Sequence, residues 1–171
     1  NLFMSLEYKY HSRQKIGFAR PTLDHQLFIG EFYYHIREIL KDTKYLVLTE
    51  EVFDKRNLKS DLVPDVIVYD ISNDHYPVFF IEITKTRGLK KCFKKLETIY
   101  ERYPDIEAFI FDFDELKWIA PRENSWSNIL NIDIADLVSE EDVQKIIKRA
   151  ELYYADTEAD IVRRYCSKKI K

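Results

Sequence analysis

The segment at residues 77–84 limits the possible folds more than any other part of the 171-residue chain. Four consecutive apolar residues run from Val78 to Ile81 within it, so neither side of this extended segment would be polar. Strands of this kind are covered on both faces by other elements, as in layered α/β proteins. The segment therefore predicts an inner strand of a sheet that carries helices on both sides.

The surrounding segments predict the other elements of an α/β domain. Apolar residues at helical spacing predict helices at residues 22–41 and 89–103, and a third helix from Ser139 to about Tyr165. β-Branched and apolar segments bounded by turn residues predict strands at residues 44–53, 65–70, 107–113, 117–120 and 128–134. The predicted order is helix, three strands, helix and strand, followed by a hairpin partner, a short strand and the last helix.

Composition and charge exclude several classes of protein. Lys, Asp or Glu interrupts every apolar run, so no membrane span is expected, and no signal peptide is recognisable. Cys92 and Cys166 lack the spacing of a metal site, which favours a reduced, cytoplasmic location over a disulfide scaffold. Because the formal net charge is −3, binding to nucleic acid would require a local basic face or a bound cation.

Two carboxylates are expected to meet at one end of a strand pair. Asp65 begins one predicted strand and Glu82 lies near the end of the next, and a turn at residues 72–74 would make the strands antiparallel. Carboxylates held on rigid strands suit Mg²⁺, and the backbone carbonyl of Ile83 could add a third ligand. Since a glutamate inside an apolar run is costly to bury without a partner, Glu82 is the stronger functional candidate. For Asp65, a strand start that bonds its own turn is the alternative.

Pro64-Asp65 followed by Glu82-Ile83-Thr84 resembles the PD…(D/E)XK motif of the restriction-endonuclease-like superfamily. The predicted element order over residues 20–137 is similar to that of the superfamily, and the chain most resembles its small stand-alone bacterial members. The resemblance implies an α/β fold with a restriction-endonuclease-like αβββαβ core, in which helices flank a mixed sheet.

The same resemblance implies a metal-dependent endonuclease that hydrolyses phosphodiester bonds of DNA with Mg²⁺ or Mn²⁺. A bound ion of this kind polarises a phosphoryl oxygen and supplies a hydroxide nucleophile near neutral pH. Asp65 and Glu82 would be the metal ligands, and Glu31 of the first helix would join them. Glu31 is equally typical of an ordinary exposed helix residue.

The chain departs from the superfamily at the lysine. Two residues after the glutamate, where the superfamily has a lysine that orients or deprotonates the attacking water, this chain has Thr84. Lys85 follows on the opposite face of the strand, and a β-bulge near Thr84 would be needed to bring it inward. Alternatively, Lys91 or Lys95 of the second helix supplies the charge, or catalysis has been lost. The sequence favours Lys85, with Thr84 beside it, over the two helix lysines.

Basic residues near the second helix predict a surface for nucleic acid. They are Arg87, Lys90, Lys91 and Lys95, although such a cluster is also typical of a solvated helix face. The nuclease-like domain is expected at residues 1–137, and residues 138–171 form a C-terminal helical extension. This extension packs back on the domain or forms a homodimer contact, which would suit cleavage of two strands.

Two other functions compete with the nuclease. In the first, the fold is kept without a competent lysine, and the protein is a nucleic-acid or protein interaction module. In the second, the chain is an unrelated α/β binding protein in which Glu82 forms a structural ion pair with Lys85, Arg87 or Lys91.

Overall fold

The computed structural model describes residues 22–50, 62–122 and 124–167, with side chains as far as residue 155. Its three α-helices are α1 (Leu23–Ile39), α2 (Leu89–Arg102) and α3 (Glu140–Ser167). Its strands are β1 (Tyr45–Thr49), β2 (Val66–Asp70), β3 (Tyr76–Thr84), β4 (Glu107–Asp112), β5 (Lys117–Ile119), β6 (Trp126–Ser127) and β7 (Ile132–Asp133). In this part of the chain, no helix has the length and apolar character needed to cross a membrane.

The first five strands form one mixed sheet in the order β1-β2-β3-β4-β5. Neighbouring strands are antiparallel except β3 and β4, which run parallel and are joined through α2. A parallel pair needs a long crossover, and the α2 helix supplies it. The fold is therefore a mixed α/β sheet flanked by helices, and this coarse prediction is confirmed.

Alternate residues of the central strand β3 face two different apolar layers. Phe79, Ile81 and Ile83 belong to the cluster that contains Phe28 and Phe32 of α1. On the other face, Phe80 packs with Leu96 and Ile99 of α2. Because side chains alternate along a strand, Glu82 and Thr84 face the α2 layer with Phe80.

The third helix covers the α1 layer and begins with a capping box. Val143 and Ile146 are buried in the same cluster as α1, and the Tyr154 hydroxyl accepts a hydrogen bond from the backbone N–H of Leu23 at 3.3 Å. The Ser139 hydroxyl accepts from the Asp142 N–H at 3.1 Å, while the Asp142 carboxylate accepts from the Ser139 N–H at 3.2 Å. These reciprocal bonds satisfy donors that a helix start leaves free. The described part of the extension thus packs on the domain.

Two predicted strands differ from the structure. The single strand predicted at residues 128–134 is wrong, because the chain forms the two-residue strands β6 and β7, which pair antiparallel. Between them Asn131 has a φ of 56°, a turn conformation that ends extended structure. Strand β1 stops at Thr49, since Glu50 has a φ of 48°; the predicted continuation over residues 51–53 lies outside the described residues.

Gly88, at the start of α2, lies where a side chain would collide with β3. A Cβ at Gly88 would be 2.1 Å from the Thr84 Oγ1 atom, although the backbone φ of −90° is open to any residue. At Gly30, on the exposed side of α1, an added Cβ would meet nothing within 4 Å. A side chain at Gly88 would therefore require either the Thr84 side chain or the start of α2 to move.

Gly88→Ala is expected to lower the free energy of unfolding by about 1–3 kcal/mol, the usual cost of overpacking. Gly30→Ala is the matched control and is expected to raise it by up to about 1 kcal/mol, because alanine has the higher helix propensity. Urea unfolding followed by circular dichroism measures both. Thr84→Ala should restore most of the stability that Gly88→Ala loses, and an additive double variant would contradict the predicted collision.

Candidate functional site

The strand pairing brings Asp65 and Glu82 to the same end of the β2–β3 hairpin. Val66 pairs with Ile81, so Asp65 lies directly beside Glu82 across the two strands. The Asp65 Oδ2 atom accepts a hydrogen bond from the Ile83 N–H at 2.6 Å. Asp65 thus bonds the neighbouring strand rather than its own turn, and the charge of one carboxylate acts on the other.

A lysine of α2 completes this group. The Lys95 ammonium donates a short hydrogen bond to Glu82 Oε1 and another, of 2.6 Å, to the carbonyl oxygen of Val63. Only 13% of the Lys95 side chain and 8% of the Glu82 side chain are exposed, so the pair is shielded from water. Lys95 reaches inward because Cys92, Lys95, Leu96 and Ile99 repeat at helical spacing on the side of α2 that faces the sheet.

The Glu82 carboxyl group has an unusual affinity for protons. Burial raises the pKa of Glu82 to about 7, and the negative charge of Asp65 acts in the same direction. The charge of Lys95 and its hydrogen bond oppose the rise without cancelling it. It is therefore unfavourable for Asp65 and Glu82 to be ionised together in this shielded site unless positive charge lies close to both.

His25 of α1 is a member of the site that sequence reasoning missed. Its Nε2 atom lies 3.0 Å from the Ile83 carbonyl oxygen and 3.3 Å from Asp65 Oδ2. Burial alone would lower the pKa of His25, but the hydrogen bond and charge of Asp65, with the Ile83 carbonyl, raise it above its ordinary value. The available signal was its spacing, since His25 lies three and seven residues before the buried Phe28 and Phe32.

Of the other predicted catalytic residues, Thr84 shares a face of β3 with Glu82, whereas Lys85 faces the α1 layer. The Lys85 ammonium lies 5.2 Å from the ring centre of Phe113, which packs against the α1 layer. The bulge near Thr84 that would bring Lys85 inward is absent from the β3–β4 pairing, which runs in unbroken register from Phe79 to Thr84. The Thr84 hydroxyl donates to the Lys85 carbonyl oxygen at 3.2 Å and interacts with the buried thiol of Cys92. No irregularity of the β3–β4 pairing therefore turns Lys85 toward Glu82.

Glu31 belongs to a different group of side chains from Asp65 and Glu82, and one of the four predicted nucleic-acid contacts, Lys95, belongs to the site itself. The Glu31 Oε1 atom lies 3.2 Å from His35 Nε2, in a group that also includes Asp142. Arg87, Lys90 and Lys91 are exposed, as a contact surface requires, whereas Lys95 is occupied by Glu82 and Val63. The partner of Glu82 is thus Lys95, and not Lys85, Arg87 or Lys91 as in the alternative of an unrelated binding protein.

A comparison with protein-family models finds no match, and a comparison with curated proteins finds none either. The class of protein is therefore inferred from the arrangement of the chain's own residues. That arrangement is two neighbouring carboxylates, a backbone carbonyl, an imidazole and a shielded lysine at the carboxyl end of an inner strand.

The donors of this site fit a hard divalent cation. Asp65 and Glu82 offer carboxylate oxygens and Ile83 a carbonyl oxygen, which are the ligands that Mg²⁺ and Mn²⁺ prefer. Among the described side-chain atoms, His25 Nδ1 is buried without a hydrogen-bond partner, while its Nε2 atom is held against Asp65 and Ile83. Burial first, and then the charge of Asp65, raise the pKa of Glu82, and a dication would offset the repulsion between the two acids.

Proposed function

We propose that the protein is a divalent-metal-dependent nuclease that hydrolyses phosphodiester bonds of DNA. The observation that carries the proposal is that Asp65, just before β2, lies beside Glu82 of β3, which is in turn contacted by Lys95 of α2. The resemblance of Pro64-Asp65 and Glu82-Ile83-Thr84 to the PD…(D/E)XK motif supports it. In this proposal Lys95 replaces, from the helix, the lysine that is absent at Thr84.

Each residue of the site would have a separate role in hydrolysis. Asp65 and Glu82, with the Ile83 carbonyl, would hold Mg²⁺ or Mn²⁺. When bound, such an ion polarises the phosphoryl oxygen and lowers the pKa of a water ligand. Lys95 would orient the attacking water and stabilise negative charge that develops at phosphorus. His25 would hold Asp65 and the Ile83 carbonyl in position through its Nε2 atom.

The DNA backbone would lie along the amino-terminal half of α2 and the turn that precedes it. Arg87, Lys90 and Lys91 are exposed there, and Lys94 extends the same basic surface. Basic side chains of this kind contact phosphates and set the position of the duplex without reading its sequence. Because the net charge of the chain is −3, binding to DNA requires a local positive face, and these residues would provide it. A cytoplasmic location, expected from the sequence, and a homodimer, one of the two options for the C-terminal extension, stay predictions.

One observation favours a second function, an interaction module without catalysis. Glu82 is already paired with Lys95, and Asp65 already accepts the Ile83 N–H, so the acids have partners in the absence of metal. In this alternative the group is a structural ion pair and the basic surface of α2 is used for binding alone. Metal affinity separates the two functions.

Calorimetric titration with Mn²⁺ is expected to show saturable binding at millimolar metal or below. Glu82→Gln and Asp65→Asn should each weaken it by at least about tenfold, because losing a ligand costs at least as much as losing a second-shell partner. Glu97→Gln is the matched control, since Glu97 is an exposed acid of the same region and should leave the affinity unchanged. Supercoiled plasmid incubated with Mn²⁺ should be nicked by the wild type and not by Asp65→Asn.

Two results would decide against the nuclease. Absence of metal binding at millimolar Mn²⁺ would favour the structural ion pair. Metal binding that depends on Glu82, without cleavage of plasmid or of single-stranded DNA, would favour the interaction module.

A further inference from the structure

A second group of metal-binding side chains joins α1 to α3. The His35 Nε2 atom lies 3.2 Å from Glu31 Oε1 and 3.9 Å from Asp142 Oδ2. One ligand atom from each of the three residues lies within 4.8 Å of the others, and all three side chains are half-buried. From this geometry we propose that Glu31, His35 and Asp142 bind a transition-metal dication such as Zn²⁺.

The arrangement depends on both helices. Glu31 and His35 are four residues apart, so they share one face of α1. Asp142 lies in the first turn of α3, and its Oδ2 atom is held by the Ser139 hydroxyl at 2.6 Å and the Ser139 N–H at 3.2 Å. The capping box therefore directs the carboxylate of α3 toward the imidazole of α1. A metal ion here would link α3 directly to α1.

The ligand types and distances select the class of metal. Zn²⁺ binds imidazole nitrogen and carboxylate oxygen at about 2.0–2.2 Å, so neighbouring ligand atoms in a tetrahedron are about 3.3–3.6 Å apart. The two distances measured from His35, 3.2 and 3.9 Å, lie on either side of that interval. Imidazole suits Zn²⁺ and its neighbours better than it suits Mg²⁺, which is held by oxygen ligands. Three protein ligands leave a fourth position for water.

The competing explanation is an ion pair without metal, in which a protonated His35 bridges the two carboxylates. Lys145 does not fill the same space, because its ammonium approaches the other carboxylate oxygen of Asp142, Oδ1, at 3.7 Å and Glu141 Oε1 at 2.9 Å. The ion pair and the metal site differ in their response to added Zn²⁺. Only the metal site is stabilised by the ion, by an amount that grows with the logarithm of the Zn²⁺ concentration once the site is saturated.

The test titrates the full chain with Zn²⁺ alone, by calorimetry and by thermal unfolding. The wild type is expected to bind one ion at this cluster, with a melting temperature that rises as the Zn²⁺ concentration rises. His35→Ala and Glu31→Gln should each weaken this binding by at least about tenfold. Glu141→Gln, an exposed acid beside Asp142, is the matched control and should bind as the wild type does.

The proposal does not rest on the nuclease function, because neither measurement uses DNA. Glu31→Gln changes one atom and keeps the size of the side chain, so it decides the outcome if His35→Ala fails to fold. Unchanged Zn²⁺ affinity in both variants would place the ion elsewhere, for example near Asp65 and His25, and would overturn the proposal. Absence of saturable Zn²⁺ binding by the wild type would overturn it equally.

Discussion

Lys95→Met is expected to reduce the rate of Mn²⁺-dependent DNA cleavage by about 10²–10⁴-fold, the usual contribution of a positioned acid–base group. The reason is the place of its ammonium, which lies on Glu82 and on the Val63 carbonyl at the carboxylate end of the β2–β3 hairpin. Methionine keeps much of the side-chain length and removes the charge. Initial rates of plasmid nicking, measured at saturating Mn²⁺, give the size of the effect.

Two further variants make this experiment specific. Lys148→Ala removes an exposed lysine of α3 and should leave the nicking rate unchanged. Lys85→Ala tests the lysine that the sequence favours; its ammonium lies over Phe113, so we expect a much smaller loss than for Lys95→Met. A larger loss for Lys85→Ala than for Lys95→Met would contradict the proposed role of the helix lysine.

Lys95→Met is also expected to destabilise the metal-free protein by about 3–5 kcal/mol at a pH well above the Glu82 pKa of about 7, because the Glu82 charge would then be buried without its partner. The buried environment matters here, since an exposed pair of the same charges would contribute about 1 kcal/mol or less. Urea unfolding in the presence of EDTA measures the change. A loss of less than about 1 kcal/mol would show that the pair is not shielded in solution.

The double variant Glu82→Gln/Lys95→Met should recover much of this stability. Removing both charges together leaves no buried charge to compensate, and both replacements keep nearly the original volume. The difference between the double variant and the sum of the single variants measures the coupling between Glu82 and Lys95. An additive result would mean that the two side chains do not interact in the folded protein.

The pH dependence of the metal-free protein follows from the same group. The folded-state pKa of Glu82 is about 7, above the ordinary value of 4.5, so the folded state binds the proton more tightly than the unfolded state does. The stability from this proton is fully present below pH 4.5 and is lost as the pH rises through about 7. Glu82→Gln cannot titrate, and comparing it with the wild type in EDTA isolates this contribution.

The sequence alone was sufficient to predict the layered sheet and the meeting of the two carboxylates of the site. The apolar run at residues 77–84 predicts an inner strand, and the repeats at residues 22–41 and 89–103 predict the helices that cover it, because such patterns depend on short-range spacing. The meeting of Asp65 with Glu82 was likewise predictable. It needs only two strands, one short turn and antiparallel pairing, so few long-range choices intervene.

Which lysine reaches Glu82 was decided only by the tertiary structure. Spacing along β3 made Lys85 the nearest candidate in sequence, but strand alternation turns it toward the α1 layer, and no bulge in the β3–β4 pairing reverses that. Lys95 lies 13 residues away, and its position depends on how closely α2 packs on the sheet. At the start of α2, a side chain at Gly88 would collide with the Thr84 hydroxyl of β3.

The sequence also did not predict which residues of α1 would join each candidate site. His25 and Glu31 are on the same helix, yet His25 reaches Asp65 while Glu31 meets Asp142 of α3. Helical periodicity shows which residues share a face, but it does not show which strand or helix that face will meet. That choice is made when the two apolar layers pack, because burial of the core fixes the rotation and depth of each helix.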